Sequence, residues 1–205
     1  MDDTSGSDPV EALMALSQMD NDAVLTNFFQ QYSGRLERIV QLRIHPALKG
    51  RVDPADIVQE VFVQATQGLD KYLETRPMPV FLWLRKLLLQ CISETHRRNL
   101  NAQRRDVRRE SKLQQGLPAN SEYLALELSS SQPTPSRIAS QKESEEQLTK
   151  ALESMSEADR ELLALWHFEQ LSGSEVATVL GISHEAAKKR HIRALAKLRT
   201  SVGSI

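Results

Sequence analysis

Asp56 and Glu60 lie four residues apart in a stretch of helical periodicity, a spacing that sets two carboxylates on one helix face. Such a pair is common equipment for acid–base work or for holding a catalytic metal. Nothing completes it here: no nucleophile, oxyanion donor or ligand-spaced histidine accompanies the two carboxylates. The five histidines (His45, His96, His167, His184, His191) are scattered along the chain without metal-ligand spacing. The single cysteine, Cys91, excludes an internal disulfide and a cysteine-based zinc cluster. The chain is therefore expected to be no enzyme and to carry no cofactor and no metal.

The chemistry the residues do carry is that of a polyanion binder. A net charge of −1 over 205 residues hides segregated signs. Residues 1–30 hold six acidic side chains and no Lys or Arg, a net of −6. From Arg85 to Lys112 the net is +6, and from Ile182 to Ile205 it is +5. Two basic blocks in a nearly neutral chain point to two contacts with nucleic acid, against the alternative of two solvated helix faces. In the first block Lys86, Gln90, Ser93, Arg97 and Arg104 form a polar and basic stripe suited to following one strand. Trp83 lies beside the stripe, next to the Pro77/Pro79 loop, where an aromatic can stack on an unpaired base; a place in the core is its other reading.

The second block follows the sharpest local signal, Leu171 to Lys188. Ser172 with Glu175 three residues later is a capping box that starts a helix. Gly181 suits a left-handed residue at its end, and Ser183 caps the next helix after a three-residue turn, which is helix-turn-helix spacing. On the second helix Ala187, His191, Ala194, Leu195 and Leu198 share one face, and that is the packed side. His191 therefore reads as a packed residue rather than a ligand. Glu185, Lys189, Ile192, Arg193 and Ala196 share the opposite face, where an apolar Ile192 among cations suits a thymine methyl. Lys188, Lys189, Arg190 and Arg193 can reach phosphates or guanine edges.

The elements that must position these residues are all helical. The composition is 40% hydrophobic with eight glycines and eight prolines, and helical periodicity runs almost throughout without strand alternation. The expected fold is all-α, with helices at about 23–44, 54–72, 79–110, 144–153, 157–169, 173–180 and 184–200. Pro118, Pro133, Pro135 and a serine run make residues 113–143 a flexible linker. It joins a domain at 23–112 to a helix-turn-helix domain at 144–205, and residues 1–22 form an acidic extension.

Within the first domain Asp53 caps a helix with Pro54 at its first position. Ile57, Val58, Val61, Phe62, Ala65 and Leu69 form its buried face, which leaves Asp56, Gln59 and Glu60 around an unburied Val63. An acidic patch around an apolar residue points to a protein partner. On the helix after Pro79, Val80, Phe81, Leu84, Leu87, Leu88, Cys91 and Ile92 turn inward. The longest apolar run, Val80–Leu84, is far too short to span a membrane, and the acidic N-terminus is not a signal peptide; a cytoplasmic protein is expected.

The ordered set of motifs resembles a bacterial sigma factor of the minimal, two-domain extracytoplasmic-function type. Asp56-Ile57-Val58-Gln59-Glu60, then Trp83-Leu84 with Arg97-Arg98, then Leu171-Ser172, Val176-Ala177, Leu180-Gly181-Ile182-Ser183 and Ala187-Lys188-Lys189-Arg190 carry the likeness. It implies core RNA polymerase and promoter DNA as partners. Asp56, Gln59 and Glu60, with Val63 among them, would dock on the β′ clamp, and other surfaces of the C-terminal domain would meet the β flap. Trp83, Lys86, Gln90, Arg97 and Arg98 would bind and melt the −10 element. Glu185, Lys188, Lys189, Arg190, Ile192 and Arg193 would read the −35 element. The linker would thread the cleft towards the RNA exit channel. An anti-sigma protein is a further partner that the resemblance allows. Leu89-Gln90 and Ala186-Ala187 depart from the commoner residues of the family, so the promoter sequence is not inherited with the likeness. The competing reading is a stand-alone homodimeric helix-turn-helix regulator, which leaves the Asp56–Val63 patch unexplained. A metal-dependent nucleic-acid enzyme using Asp56 and Glu60 is the third.

Overall fold

The computed structural model describes residues 21–100, 119–129 and 138–203. Among them every regular element is helical, and no helix is long and apolar enough to cross a membrane. The chain divides into two compact units, one of Met1–Val40 with His45–Gln115 and one of Gln41–Ile44 with Gly116–Ile205. The acidic extension, Arg104 and the rest of the first basic block beyond Leu100 lie outside the described residues.

The first unit is built on three helices: α1 (Asn21–Arg43, up to Val40), α2 (Pro54–Thr75) and α3 (Val80–Leu100). Val24, Phe28, Tyr32, Leu36 and Ile39 recur every three or four residues along α1 and are buried, as helical periodicity requires. The Asp53 carboxylate accepts the Ala55 N–H at 2.9 Å, and Pro54 follows, so α2 begins where its local chemistry dictates. Its inner face is Ile57, Val58, Val61, Ala65, Leu69 and Tyr72; Phe62, expected among them, is only half-buried. On α3 Leu82 joins the buried set and Leu87 is half-buried. Phe81 is the hub of this core, with Tyr32 at 5.5 Å between ring centroids and the Arg35 guanidinium 3.5 Å above its ring. Cys91 is buried, and burial pushes its thiol up to about 12, so it is an inert core residue.

The second unit contains α4 (Ser121–Ser129), α5 (Ile138–Ser154), α6 (Glu157–Leu163), a π turn (Ala164–Phe168), α7 (Gly173–Leu180) and α8 (His184–Gly203). Helix α4 falls in the segment whose serines and prolines read as linker; Leu124 and Ala125 are buried, so packing holds a helix that the composition did not announce. Ser156 caps α6 by accepting the Asp159 N–H. Leu152, Leu162, Leu163, Leu165, Phe168 and Val176 form the core. Within it sits Glu169, which is fully buried. Its carboxylate accepts the Arg43 Nε–H at 3.0 Å, and Arg43 also donates to both carboxylate oxygens of Glu161, at 2.8 and 3.1 Å. Burial works against the guanidinium's charge, but the two carboxylates outweigh it and hold Arg43 firmly protonated.

Two outcomes follow from these buried polar groups. Arg43→Ala removes the guanidinium that the buried Glu169 carboxylate faces and should lower the stability in urea unfolding by about 3–5 kcal/mol, whereas replacing the pair together, Arg43→Met with Glu169→Leu, should cost clearly less. In the first unit buried His96 accepts the His45 backbone N–H on Nε2 at 3.0 Å. Burial, with His45 adding to it, pushes its pKa down from 6.5 to about 4. The unfolded chain takes up that proton near its ordinary pKa, so the stabilisation is complete above about pH 6.5 and is lost as the pH falls towards 4. Thermal unfolding midpoints should decline across that window, and the decline should be shallower in His96→Gln, which keeps an acceptor but does not titrate.

Candidate nucleic-acid interface

The helix-turn-helix is assembled from short-range bonds. The Ser172 hydroxyl accepts the Glu175 N–H at 3.3 Å while the Glu175 carboxylate accepts the Ser172 N–H at 2.8 Å, so the capping box is complete and α7 starts at Gly173. At the other end Gly181 has φ 62°, and the Ile182 N–H reaches back to the Ala177 carbonyl at 3.0 Å. The Ser183 hydroxyl then accepts the Ala186 N–H at 3.2 Å and opens α8.

Helix α8 rests on its unit through small residues. Ala187 and Ala194 are fully buried, while Glu185, Lys188, Lys189, Arg190 and Arg193 are exposed. Ile192 is 67% exposed among those cations, on the side away from the two alanines. Leu195, expected on the packed side, is 38% exposed, because it lies at the margin of a face only two alanines deep. Lys197 Nζ donates to Asp159 Oδ2 at 2.6 Å, a bond that ties α8 to α6 and holds the Asp159 carboxyl below its usual range.

The second support of α8 is aromatic and was not visible in the sequence. The π turn is closed by the Glu169 N–H on the Ala164 carbonyl at 2.8 Å, one residue wider than an α-helical turn. It presents Trp166 flat against His191, with centroids 4.2 Å apart and planes within 5°, and places His167 Nε2 2.8 Å from His191 Nε2. His191 is thus a half-buried packed residue, as its face implied, but its partners come from the π turn. A Cβ on Gly173 would lie 2.5 Å from His184 Nε2 and 3.2 Å from Trp166, so that glycine is there for close approach. No periodicity signals a π turn, and Trp166 and His167 carried no flag beforehand.

In the first unit Asp56, Gln59, Glu60 and Val63 all lie exposed on α2, Val63 at 58%. Phe29 of α1, 42% exposed, meets Phe62 edge to face at 4.6 Å and extends the apolar part of that surface, a neighbour that only the packing reveals. Trp83 is half-buried and stacks on Tyr72 at 4.4 Å; the Tyr72 hydroxyl donates to the Met78 carbonyl at 2.9 Å, which anchors the loop before α3. Trp83 is therefore half-covered, with one face of its ring on Tyr72. Lys86, Gln90, Arg97 and Arg98 are exposed along α3, Arg98 at 3.6 Å from the Glu94 carboxylate.

Residues 151–200, from the end of α5 through most of α8, match the family described as Sigma-70, region 4. That segment is a Sigma-70 region 4 domain. The structure of CnrH in complex with the cytosolic domain of CnrY is similar in fold, at TM-score 0.51 and 21% identity over 96% of this chain and 96% of that one. That likeness is one of fold. The structure of the RsbN–BldN complex matches at TM-score 0.28 and 16% identity over 93% of this chain and 97% of that one, too slight a likeness to argue from. No curated protein matches the sequence.

The capping box gives a direct check on the helix-turn-helix. Ser172→Ala should lower its stability by about 1 kcal/mol. Glu175→Ala on that background should cost less than alone, because both bonds serve the same turn; a double-mutant cycle in urea measures the difference.

Proposed function

We propose that the chain is a sigma factor of the extracytoplasmic-function type, which binds core RNA polymerase through α2, opens the −10 element with α3 and reads the −35 element with α8. The observation that carries the reading is Ile192, 67% exposed between Lys188, Lys189 and Arg193 on a helix whose other side is buried alanine. A soluble helix gains nothing by exposing an isoleucine among cations, but a major groove offers phosphates for the cations and a thymine methyl for the apolar group. Glu185 and Arg190 flank that face. On α2 the exposed Asp56, Gln59, Glu60 and Val63 suit a basic and apolar ridge, the β′ clamp. On α3 Lys86, Gln90, Arg97 and Arg98 follow the non-template strand, and Trp83, already stacked on Tyr72, supports the loop Glu74–Pro79 that holds a flipped base.

Residues 23–112 and 144–205 act as the two functional domains, joined through 113–143, and other faces of the second meet the β flap. The likeness to CnrH, seen in complex with the cytosolic domain of CnrY, supports an anti-sigma protein as a further partner, in the cytoplasm. The acidic charge of residues 1–22 suits screening of the DNA-binding faces in the free protein.

Run-off transcription from fragmented genomic DNA by purified core polymerase tests the reading. Discrete new transcripts are expected with the wild type and not with Asp56→Ala/Glu60→Ala. Ile192→Ala should relax discrimination at one −35 position by about 1–3 kcal/mol, whereas loss of a phosphate-contacting lysine should weaken all sites evenly and flatten the salt dependence. Tight binding of palindromic duplexes by the protein alone, with no polymerase complex and no transcripts, would give the chain to the homodimeric regulator instead.

A further inference from the structure

All five histidines lie among the described residues, and three are accounted for by local packing. His45 Nδ1 accepts the Ala47 N–H, His96 Nε2 accepts the His45 N–H, and His184 lies against Gly173. His167 and His191 differ. They are 24 residues apart in sequence, yet their Nε2 atoms stand 2.8 Å from each other at the surface, with His167 exposed and His191 half-buried. Neither ring is given a part in the reading of DNA or polymerase above, and His191 lies on the side of α8 that carries the buried Ala187 and Ala194.

Two neutral imidazoles meet at this distance by sharing one proton, one ring donating and the other accepting. The same two nitrogens are the commonest ligands for borderline divalent cations. A metal about 2.0–2.1 Å from each nitrogen sets them roughly 2.9 Å apart when the bonds meet at a right angle and roughly 3.3 Å apart when they meet tetrahedrally. The observed separation fits the right angle, which is the tetragonal preference of Cu2+. His191 is held in place by the flat stack on Trp166, so one ligand is pre-set. His167 is exposed and free to turn its lone pair towards the cation.

We propose that His167 Nε2 and His191 Nε2 form a two-ligand chelate for a divalent transition cation, Cu2+ in preference to Zn2+, with water completing the coordination. Among the described residues no group of three or more His, Cys, Asp or Glu is placed to hold a metal ion, so the site is open to solvent and of moderate affinity. Burial holds both imidazoles below their ordinary pKa range, His191 further depressed by His167, and the rings are therefore uncharged and able to ligate at neutral pH. A cation there takes the place of the shared proton, which moves to Nδ1 of the donating ring, and pins α8 to the π turn. Arg190, next to His191 and exposed, repels it, so binding should strengthen with added salt, the reverse of DNA binding.

The test uses the full, untagged chain without DNA or polymerase, so that its failure leaves the sigma reading untouched. In a Trp83→Phe background Trp166 is the one remaining tryptophan, and its fluorescence reports the site. Cu2+ should quench it with one-to-one stoichiometry, and electron paramagnetic resonance should show two nitrogen ligands. His167→Gln and His191→Gln should each weaken Cu2+ binding by about tenfold or more, because a single imidazole is left. His45→Gln should bind as the wild type does. His167 is exposed, so its variant keeps the fold even if His191→Gln does not. Quenching that His167→Gln leaves unchanged, or no one-to-one binding at all, overturns the proposal.

Discussion

Helix α8 has to be gripped firmly by its unit while most of its circumference stays in water. Among the described residues Ala187 and Ala194 are the fully buried ones on it, with Leu198 half-buried, a small apolar contact to seat a twenty-residue helix. Alanine does let the backbone approach closely, and the remaining hold comes from the edges. Trp166 lies against His191 on one flank, and Lys197 reaches Asp159 on α6. The absent side chain of Gly173 makes room for His184 and Trp166 between α7 and α8. The π turn is part of the same solution, since the extra residue in its ring is what turns Trp166 towards α8. The cationic face and Ile192 are left free because the packed face is narrow.

The first unit meets a similar demand with larger residues. Helix α2 turns Ile57, Val58, Val61, Ala65 and Leu69 inward, which by helical geometry forces Asp56, Gln59, Glu60 and Val63 outward. Phe62 sits between the two faces and is met by Phe29, so the acidic patch has an aromatic margin. Trp83 and Tyr72 form a plate under the loop that follows α2, and that loop turns at Arg76 with φ 37° before two prolines stiffen it. Aromatic pairs thus support the surface residues in both units.

Much of this was legible because the signals are local. Capping residues mark the starts of α2 and α7 to the residue, since a Ser or Asp side chain reaches only its own first turn. Gly181 marks the end of α7 because the left-handed conformation it adopts costs a side chain energy. The exposed positions on α2 and α3 followed from periodicity alone. Leu195 and Phe62 were misjudged for one reason: a helical projection gives a direction, and not the width of the neighbour that covers it. Helix α4 was missed because Ser and Pro around it read as linker, while its burial depends on Leu124 and Ala125 finding partners far along the chain.

The amino-acid sequence by itself determined the helical class, the helix-turn-helix, the segregation of charge and most of the side chains that face water on α2, α3 and α8. The helix faces depend on short spacings that a periodic backbone converts directly, and the segregation of charge is written in the order of the residues. Tertiary structure alone decided what stands beside those faces. Arg43 meets Glu169 across 126 residues, and His167 meets His191 across 24, with the ring of the second flat on Trp166. Such contacts are chosen by how the helices pack and where a π turn shifts their register, and no spacing in the chain encodes the angle at which two helices cross.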